Sequence, residues 1–600
     1  MAEQETPDIG ISEGYRVGSS RTAAPFTCRP AYYGTHGLVA AGHYVAAAAG
    51  ARAYELGGNA ADAAVAAGFC LTVLLPQSNG IGGEVPILIW DPKEQHAYAV
   101  SGQGGAPRLA TARWFHEQGI TLIPGDGMLP AAVPAAFGTW IRVLQRFGQL
   151  GLADTLGLAV ELAESGFAVY PGLHYAIKAQ AERFQSWWPS SAAVYLPDGK
   201  TPAIGSVLQQ RAWARTFKQA LDIEVRERKR GREAVCDEVF NWFYRGPVAE
   251  AIDRFVRVTD VRGVTGVHRG LLRAEDLAAF RVRFEEPVRL TYRDTEVLKC
   301  GPWSQGPVFL QQLSLLQGFD LQHMGHNSPE YIHTVVECAK LAFADREAFY
   351  GDPEFVSVPL ERLLDGAYAT SRRNLVNPER AAAVVQPGFA WLPASHSDAT
   401  ADPRVYRGDT THVDAADTRG MFVAATPSGG WFPSSPVIPE LGFPLGTRGQ
   451  MFVVEEGHPN CIAPGKRPRT TLTPTLVLRA GRPWCVFGTP GGDQQDQWTL
   501  QFFLNIVEFG MELQAAVEAP TFHTLHLRDS FYPRGLQPLV IASEDRIAAS
   551  VIAELERRGH VVQVNGSWTH GQVTGIVEEQ PGVLVGVASP RGQTAYVAGR

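Results

Sequence analysis

Two adjacent threonines, Thr410 and Thr411, follow Asp409 and precede a strand-like run from His412 to Asp417 in this 600-residue chain. A threonine hydroxyl is a weak nucleophile, and it attacks a carbonyl group only with the help of a neighbouring base. Taken alone, the pattern is also typical of the start of an edge strand.

A glycine-rich turn from Gly488 to Asp493 is the second stretch that could do chemistry. A strand is predicted before it, at Trp484–Phe487, and an amphipathic helix after it, at 495–509. Backbone N–H groups at a helix N-terminus have no partner within the helix and can hold an oxyanion. The turn is therefore a place where an oxyanion could be held.

Helical segments dominate the chain before these stretches. A short strand, Leu38–Ala41, is followed by predicted helices at 43–56 and 60–75, which meet at Gly57-Gly58. The loop that follows contains Gly80, Gly82 and Gly83 but lacks the spacing of nucleotide-binding loops, so it is interpreted as a tight structural turn.

Hairpins dominate the chain after an aperiodic stretch at 376–409, which is predicted to be an exposed linker. The first hairpin pairs His412–Asp417 with Met421–Thr426, and the second pairs Thr475–Leu478 with Trp484–Phe487. This change leaves two organisations open: separate helical and strand-rich domains, or one layered domain through which the chain passes in both halves.

Composition excludes several classes of function. The net charge of -8 is small for this length, and the basic run at 226–232 is interleaved with glutamates, so a nucleic-acid partner is not predicted. The seven cysteines are scattered without CxxC spacing, which argues against a zinc site or a disulfide scaffold. No apolar leader and no membrane-length apolar stretch is present, so a cytoplasmic protein without metal or cofactor is predicted.

Six motifs in order give the chain a resemblance to the gamma-glutamyltransferase family of N-terminal-nucleophile hydrolases, from about residue 35 to the C-terminus. These motifs are Gly57–Ala64, Asn79–Gly83, Lys340–Arg346 with Gly351–Pro353, Thr410–His412, Pro464–Pro468 and Pro490–Gly492.

The resemblance implies an α/β fold, a four-layer αββα sandwich, made as a proenzyme that cleaves itself between Asp409 and Thr410. Residues 1–35 would form a tail, 36–409 the large subunit with a linker at 375–409, and 410–600 the small catalytic subunit, intertwined as one domain. The partners would be these two subunits and a small-molecule substrate, with a homo-oligomer left open.

The same resemblance implies roles for site residues. Thr410 would be the nucleophile, and Gly491 and Gly492 would hold the oxyanion of an acyl transfer. Ser428 stands where the family has a second active-site threonine. Two further hydroxyl residues, Thr470 and Thr471, stand where it has a serine pair.

The residues that recognise glutamate in the family are replaced. Gln103 stands in place of the arginine that binds the α-carboxylate, and Gly430 in place of an asparagine. The acidic cluster for the α-ammonium falls on 446–451, which holds Arg448 and no carboxylate. We therefore predict that the acyl group is not gamma-glutamyl and that Arg448, with Arg469, binds an anionic group; the alternative is that both arginines lie on the surface.

Several functions stay open within this resemblance: a glutathione hydrolase or transferase, an amidohydrolase of small anions such as oxamate, or a carbon-carbon hydrolase. The last would be of the LmbA-like branch of antibiotic biosynthesis, which removes an oxalyl-type side chain from L-DOPA-derived intermediates. Trp303, Trp431 and Phe432 are candidates for an apolar pocket wall or for core packing. If Asp409-Thr410 stays uncleaved, a non-catalytic binding protein is the remaining interpretation.

Overall fold

The computed structural model describes residues 26–389 and 410–600. In these residues the strands are β1 Tyr32–Gly34, β2 Gly37–Ala41, β3 Ile87–Asp91, β4 His96–Ser101, β5 Phe167–Ala168, β6 Val207–Leu208, β7 Val261–Gly263, β8 Gly266–His268, β9 Arg283–Glu285, β10 Val288–Tyr292, β11 Thr295–Lys299, β12 Val413–Asp417, β13 Phe422–Ala425, β14 Thr475–Arg479, β15 Arg482–Gly488, β16 Phe522–Thr524, β17 Val540–Glu544, β18 Val561–Asn565, β19 Thr574–Gln580, β20 Val583–Ala588 and β21 Tyr596–Gly599.

The α-helices in the same residues are α1 Tyr44–Glu55, α2 Ala60–Leu74, α3 Ala112–Glu117, α4 Ala136–Phe147, α5 Leu152–Ser165, α6 Pro171–Ser186, α7 Pro189–Tyr195, α8 Arg211–Glu227, α9 Arg232–Tyr244, α10 Pro247–Val258, α11 Ala274–Ala279, α12 Gly306–Leu316, α13 Leu321–Met324, α14 Pro329–Phe349, α15 Leu360–Leu363, α16 Gly366–Arg373, α17 Gln495–Val507, α18 Leu513–Glu518 and α19 Ala549–Arg557.

Two large antiparallel sheets organise the described chain. Sheet A has the strand order β1-β20-β19-β15-β14-β11-β10, and sheet B has the order β21-β2-β12-β13-β3-β4-β9. Each sheet mixes strands from before and after Thr410. The hairpins predicted at 412–426 and 475–487 are confirmed as β12–β13 and β14–β15, and they lie in different sheets.

Apolar side chains of the two sheets meet face to face. In β2, Leu38 and Ala40 point into the layer between the sheets, where residues such as Leu476 and Ile576 of sheet A pack against them. The intervening Val39 belongs to the core that sheet B forms with helices such as α2 and α4, as the two-residue period of a strand requires. Helices α12, α14 and α17 cover the outer face of sheet A. The predicted four-layer αββα sandwich is confirmed.

Most local predictions near the sandwich hold. The side chain of Asn59 accepts from the amides of Ala61 and Asp62 and, with Asp62, forms a capping box at the start of α2. Gly57 has φ 90° at the corner between α1 and α2. One strand, β1, lies before the predicted Leu38–Ala41 and inside the stretch expected to be a tail, and it pairs with β20 at the edge of sheet A. Three residues are too few to show a strand's alternating pattern.

The predicted linker is described only in part. Residues 376–389 contain no helix or strand and are mostly exposed, whereas 390–408 and Asp409 lie outside the described residues. None of the helices in the described ranges has both the length and the apolar character that crossing a membrane requires.

Four buried histidines should make the fold sensitive to acid. Burial lowers the pKa of His43, His458 and His526 to about 4, and that of His560 to about 3. The ordinary value is about 6.5. These groups therefore contribute stability that is present above pH 6.5 and is lost as the pH falls through that value, because the unfolded chain takes up protons that the folded chain cannot.

The melting temperature should accordingly fall steeply between about pH 6.5 and about pH 4.5, and His560→Gln should flatten that fall. The ring of His560 contacts His333 Nδ1 at 2.8 Å, and Lys340 lies close enough to oppose its protonation. His323→Gln, which changes an exposed histidine, is the matched control. An unchanged slope in the His560 variant, measured by differential scanning calorimetry, would contradict this account.

His333 and His560 also form, with Glu337, a group of ligand-type atoms within 4.8 Å of one another. Glu337 is already paired with Lys340 at 2.6 Å, and this ammonium opposes the binding of a cation.

Candidate active site

The β12–β13 hairpin places the candidate nucleophile opposite its supporting hydroxyl. Val413 pairs with Ala425 in the ladder, and the same register continues to a bridge between Thr410 and Ser428. Side chains two residues apart lie on one face of a strand, so those of Thr410, His412 and Asp414 share a face. That face points into the layer between the two sheets.

A chain of polar contacts leads from Thr410 to a buried ion pair. Thr410 Oγ1 lies 3.1 Å from Ser428 Oγ, and Arg448 Nη2 donates to Ser428 Oγ at 2.7 Å. Arg448 Nε donates to Glu84 Oε1 at 2.6 Å. All four side chains are at most 3% exposed, so these contacts form in an environment that strengthens electrostatic interactions.

The direction of the contact between Arg448 and Ser428 follows from the guanidinium, which can only donate. Arg448 therefore occupies an acceptor position of Ser428, and either hydroxyl could donate in the contact between Ser428 Oγ and Thr410 Oγ1. Burial raises the pKa of the Glu84 carboxyl above its ordinary value, while Arg448 opposes this shift.

The glycine loop at 79–83 supports the nucleophile's hairpin. A side chain at Gly83 would clash with the carbonyl oxygen of Ser428, and one at Gly80 with that of Gly430. Glu84 N donates to Ser428 O at 2.9 Å and Ser428 N to Glu84 O at 3.0 Å. The interpretation of this loop as a structural turn agrees with these contacts, and the close approach explains its glycines.

Glu84 was missed in the sequence. It follows two glycines and precedes a strand, a context that gives a carboxylate no obvious partner. The signal that could have found it is the buried Arg448 itself, because a buried charge requires a counterion.

The turn after β15 contains Gly491 and Gly492, the two residues predicted to hold an oxyanion. Gly491 and Gly492 have φ values of 125° and 60°, and a side chain would clash with Trp498 at the first position and with Phe531 at the second. Within the described residues neither amide donates a hydrogen bond. The two N–H groups are thus available at the start of the short helix that leads into α17.

His412 and Asp414 join the hairpin to sheet A. His412 contacts Thr426 Oγ1 at 2.9 Å and Asp414 Oδ1 at 2.8 Å, and Thr574 of β19 donates to Asp414 at 2.8 Å. Burial raises the pKa of Asp414. These contacts hold the start of β12, just after Thr410, against the end of β13 and against sheet A.

The two candidate arginines, Arg448 and Arg469, have different partners in the structure. Both are buried, at 2% and 1% exposure, so the surface alternative is wrong. Arg448 reaches the Thr410 site, but its charge is already paired with Glu84. Arg469 instead donates to Glu347 at 2.8 Å and to the carbonyl oxygen of Arg346 at 3.1 Å.

The other predicted binding residues lie on buried segments. Thr470 pairs with Ser304 in an isolated bridge. Gln103 Nε2 donates to Gly104 O at 3.2 Å. Within the described residues, neither Gln103 Oε1 nor Thr471 Oγ1 has a hydrogen-bond partner although both are buried, which leaves them available to a ligand.

The three aromatic candidates differ in their surroundings. Trp431 packs with Met451 and Phe531, and the Arg448 guanidinium lies 5.4 Å from its ring centre. Trp303 lies between the sheets, and Phe432 packs in the helical core. Trp431 alone of the three therefore adjoins the Thr410 site.

With this geometry established, the comparisons with known proteins become informative. The family model described as Gamma-glutamyltranspeptidase matches residues 46–599. The chain belongs to this family. The resemblance seen in the motifs is thereby confirmed.

Relatives of the gamma-glutamyltranspeptidase family match over nearly their whole length. Acylase ACY 1 proenzyme of Pseudomonas sp. (strain SE83) is 34% identical over 590 residues, covering 96% of each chain. Glutathione hydrolase-like YwrD proenzyme of Bacillus subtilis is 30% identical, covering 94% of this chain and 98% of its own.

Solved structures of the family superpose closely. The structure of LmbA2991HD is 43% identical with a TM-score of 0.91, covering 96% of this chain and 100% of its own. Cephalosporin acylase from Bacillus halodurans is 29% identical with a TM-score of 0.82, covering 97% and 99%. The chain is therefore an enzyme, a hydrolase or acyltransferase of a family in which a threonine nucleophile is typical.

Proposed function

We propose that the chain cleaves its own Asp409-Thr410 bond and that Thr410 then transfers an acyl group through a covalent ester. The observation that carries this proposal is the polar chain from Thr410 through Ser428 to Arg448 and Glu84. Relatives named proenzymes support the processing step. The large and small subunits would remain partners, and a cytoplasmic location stays a prediction.

The reaction would begin when Thr410 Oγ1 attacks the substrate carbonyl and its proton passes to the new α-amino group. Ser428 would donate a hydrogen bond to Thr410 Oγ1 as this atom loses its proton. The amides of Gly491 and Gly492 would hold the oxyanion, an interaction typically worth about 3 kcal/mol per donor. The bond to the leaving group breaks, the leaving group takes the proton, and water then hydrolyses the ester.

The acyl group would be small and would carry an anionic end, as in an oxalyl compound. Arg448 Nη1 contacts only Met451 Sδ, at 3.8 Å, among the described residues, so it keeps hydrogen bonds to give. Because Glu84 neutralises the guanidinium, the anion would be held by these hydrogen bonds and by those of Thr471 and Gln103 rather than by net charge.

A gamma-glutamyl substrate is the competing candidate. Its α-ammonium would need a carboxylate, and Glu84 is the acidic side chain that contacts Arg448 at this site. The ammonium would therefore have to displace a buried guanidinium, which is unfavourable. A carboxylate is thus present beside Arg448, contrary to the prediction from 446–451, but it is already occupied by the guanidinium.

Two types of bond are candidates for the one that is cleaved. The names of the acylase relatives favour an amide bond. Carbon-carbon hydrolysis of an L-DOPA-derived intermediate in antibiotic biosynthesis is a second hypothesis, and the similarity to LmbA2991HD is consistent with it. Both reactions would use the same ester on Thr410.

The substrate proposal predicts a kinetic preference. The enzyme should hydrolyse the oxalyl p-nitroanilide with a kcat/KM at least about tenfold above that for gamma-glutamyl p-nitroanilide, because only the first fits the Arg448–Glu84 pair. Release of p-nitroaniline measures both, and Thr410→Ala is the blank. Efficient turnover of the glutamyl compound would overturn the assignment.

A further inference from the structure

A cavity of about 340 Å³ opens beside Thr410. Its wall includes Thr410 and Pro490, but it contains none of Ser428, Arg448 or Gly492. A volume of this size lies at the lower end of the range for small-molecule pockets, about 300 to 1,000 Å³. Thr410 therefore borders an open space that the Ser428–Arg448–Glu84 chain does not line.

The wall of this cavity is polar and carries no carboxylate among the described residues. Three amide side chains line it, from Gln77, Gln572 and Gln593. Arg591 is its strongest charge, but this guanidinium donates to Glu544 at 2.7 Å and 3.0 Å and to backbone carbonyls. The cavity therefore suits a neutral polar group better than a cation.

Gln77 lines the cavity and carries a buried hydrogen-bond acceptor that has no partner among the described residues. The hydroxyl of Tyr170 donates to the carbonyl oxygen of Leu74 at 3.1 Å, so it must accept the 2.7 Å bond from Gln77 Nε2. This fixes the amide with Oε1 as the other end. Gln77 is only 9% exposed, and its Oε1 has no donor among the described residues.

We propose that this cavity binds the leaving group, and that it selects a neutral, ring-sized group with an N–H or O–H donor for Gln77 Oε1. The inference rests on the proposed function of Thr410, because a leaving group departs only after the nucleophile has attacked. Tyr170 and Leu75 supply apolar surface for a ring, and the hydroxyls of Thr411 and Thr574 stand nearby on the same wall. A buried acceptor without a partner favours a ligand that can donate to it.

Binding of a leaving-group mimic tests this directly without any acyl substrate. Isothermal titration of the processed enzyme with 4-aminobenzamide, which is neutral and planar with N–H donors, should show saturable binding. Gln77→Leu should weaken that binding by about tenfold, because it removes the acceptor and keeps the bulk. Gln322→Leu, the same change at an exposed position, should leave it unaltered.

A second variant, Gln77→Glu, tests the proposal even if Gln77→Leu fails to fold. Gln77→Glu keeps an acceptor and adds a negative charge, so it should raise the preference for cationic 4-aminobenzamidine over 4-aminobenzamide by about tenfold. An enzyme that shows no saturable binding of the amide, or variants that bind both probes like the wild type, would overturn the proposal.

The readouts separate this inference from the function on which it rests. Failure of the proposed function appears as an uncleaved chain on a gel or as the absence of an acyl adduct on Thr410 by mass spectrometry. Failure of the cavity assignment appears only in the titrations, which are made on the same samples.

Discussion

Thr410→Ala should yield a single chain of 65.1 kDa with no measurable turnover. The unaltered protein should instead give two bands of about 44 and about 21 kDa, because its own hydroxyl attacks the preceding peptide bond. Alanine removes the Oγ1 atom that contacts Ser428 while changing little else at a position that is 3% exposed. The loss of cleavage should therefore not reflect unfolding.

Thr410→Ser is the matched control, because it keeps the oxygen and removes only a methyl group. It should still be cleaved and should retain part of the activity. Gel electrophoresis and a melting curve on all three proteins separate chemistry from stability. Cleavage that persists in the alanine variant would show that another residue is the nucleophile.

Glu84→Gln should produce the largest loss of stability at the site. The change leaves Arg448 buried without its counterion, which typically costs about 3 to 5 kcal/mol. The melting temperature should fall, and turnover should fall with it because Arg448 no longer fixes Ser428. Stability is best compared in the uncleaved Thr410→Ala background, where the protein is one chain.

The double variant Glu84→Gln, Arg448→Met distinguishes charge from catalysis. Removing both charges should restore much of the melting temperature, since replacing a buried ion pair by uncharged groups is often close to neutral. Activity should not return, because the hydrogen bond that Arg448 donates to Ser428 is lost. Glu440→Gln, which removes the exposed partner of Arg254, is the control and should leave the melting temperature unchanged.

Stability that is unaffected by Glu84→Gln would contradict the pairing seen in the structure. Activity that recovers in the double variant would show that Ser428 needs no help from Arg448.

Much of the catalytic strand could be predicted because it depends on local pattern. The hairpin that ends at Thr426 is short and regular, so its register places Ser428 opposite Thr410 once the strands are recognised. The turn at Gly491 could be found in the same way, from a strand, two glycines and an amphipathic helix.

The partners of the arginines could not be predicted from local pattern. Glu84 and Arg448 are separated by 364 positions, and Arg469 and Glu347 by 122. The residues next to each charged side chain in the sequence do not indicate its partner, because the fold brings the two distant segments together. Local pattern therefore revealed neither the pairing of Arg469 with Glu347 nor that of Arg448 with Glu84.

Strand β2 precedes Thr410 in the chain, yet in sheet B it lies between β21 and β12, which both follow Thr410. New chain ends usually fray. A terminus created at Thr410 would instead begin beside a strand held on both edges, so the catalytic amine would keep the rigidity of an interior residue. The same alternation of strands would make the two pieces share both sheets after cleavage, and we expect that dilution alone would not part them.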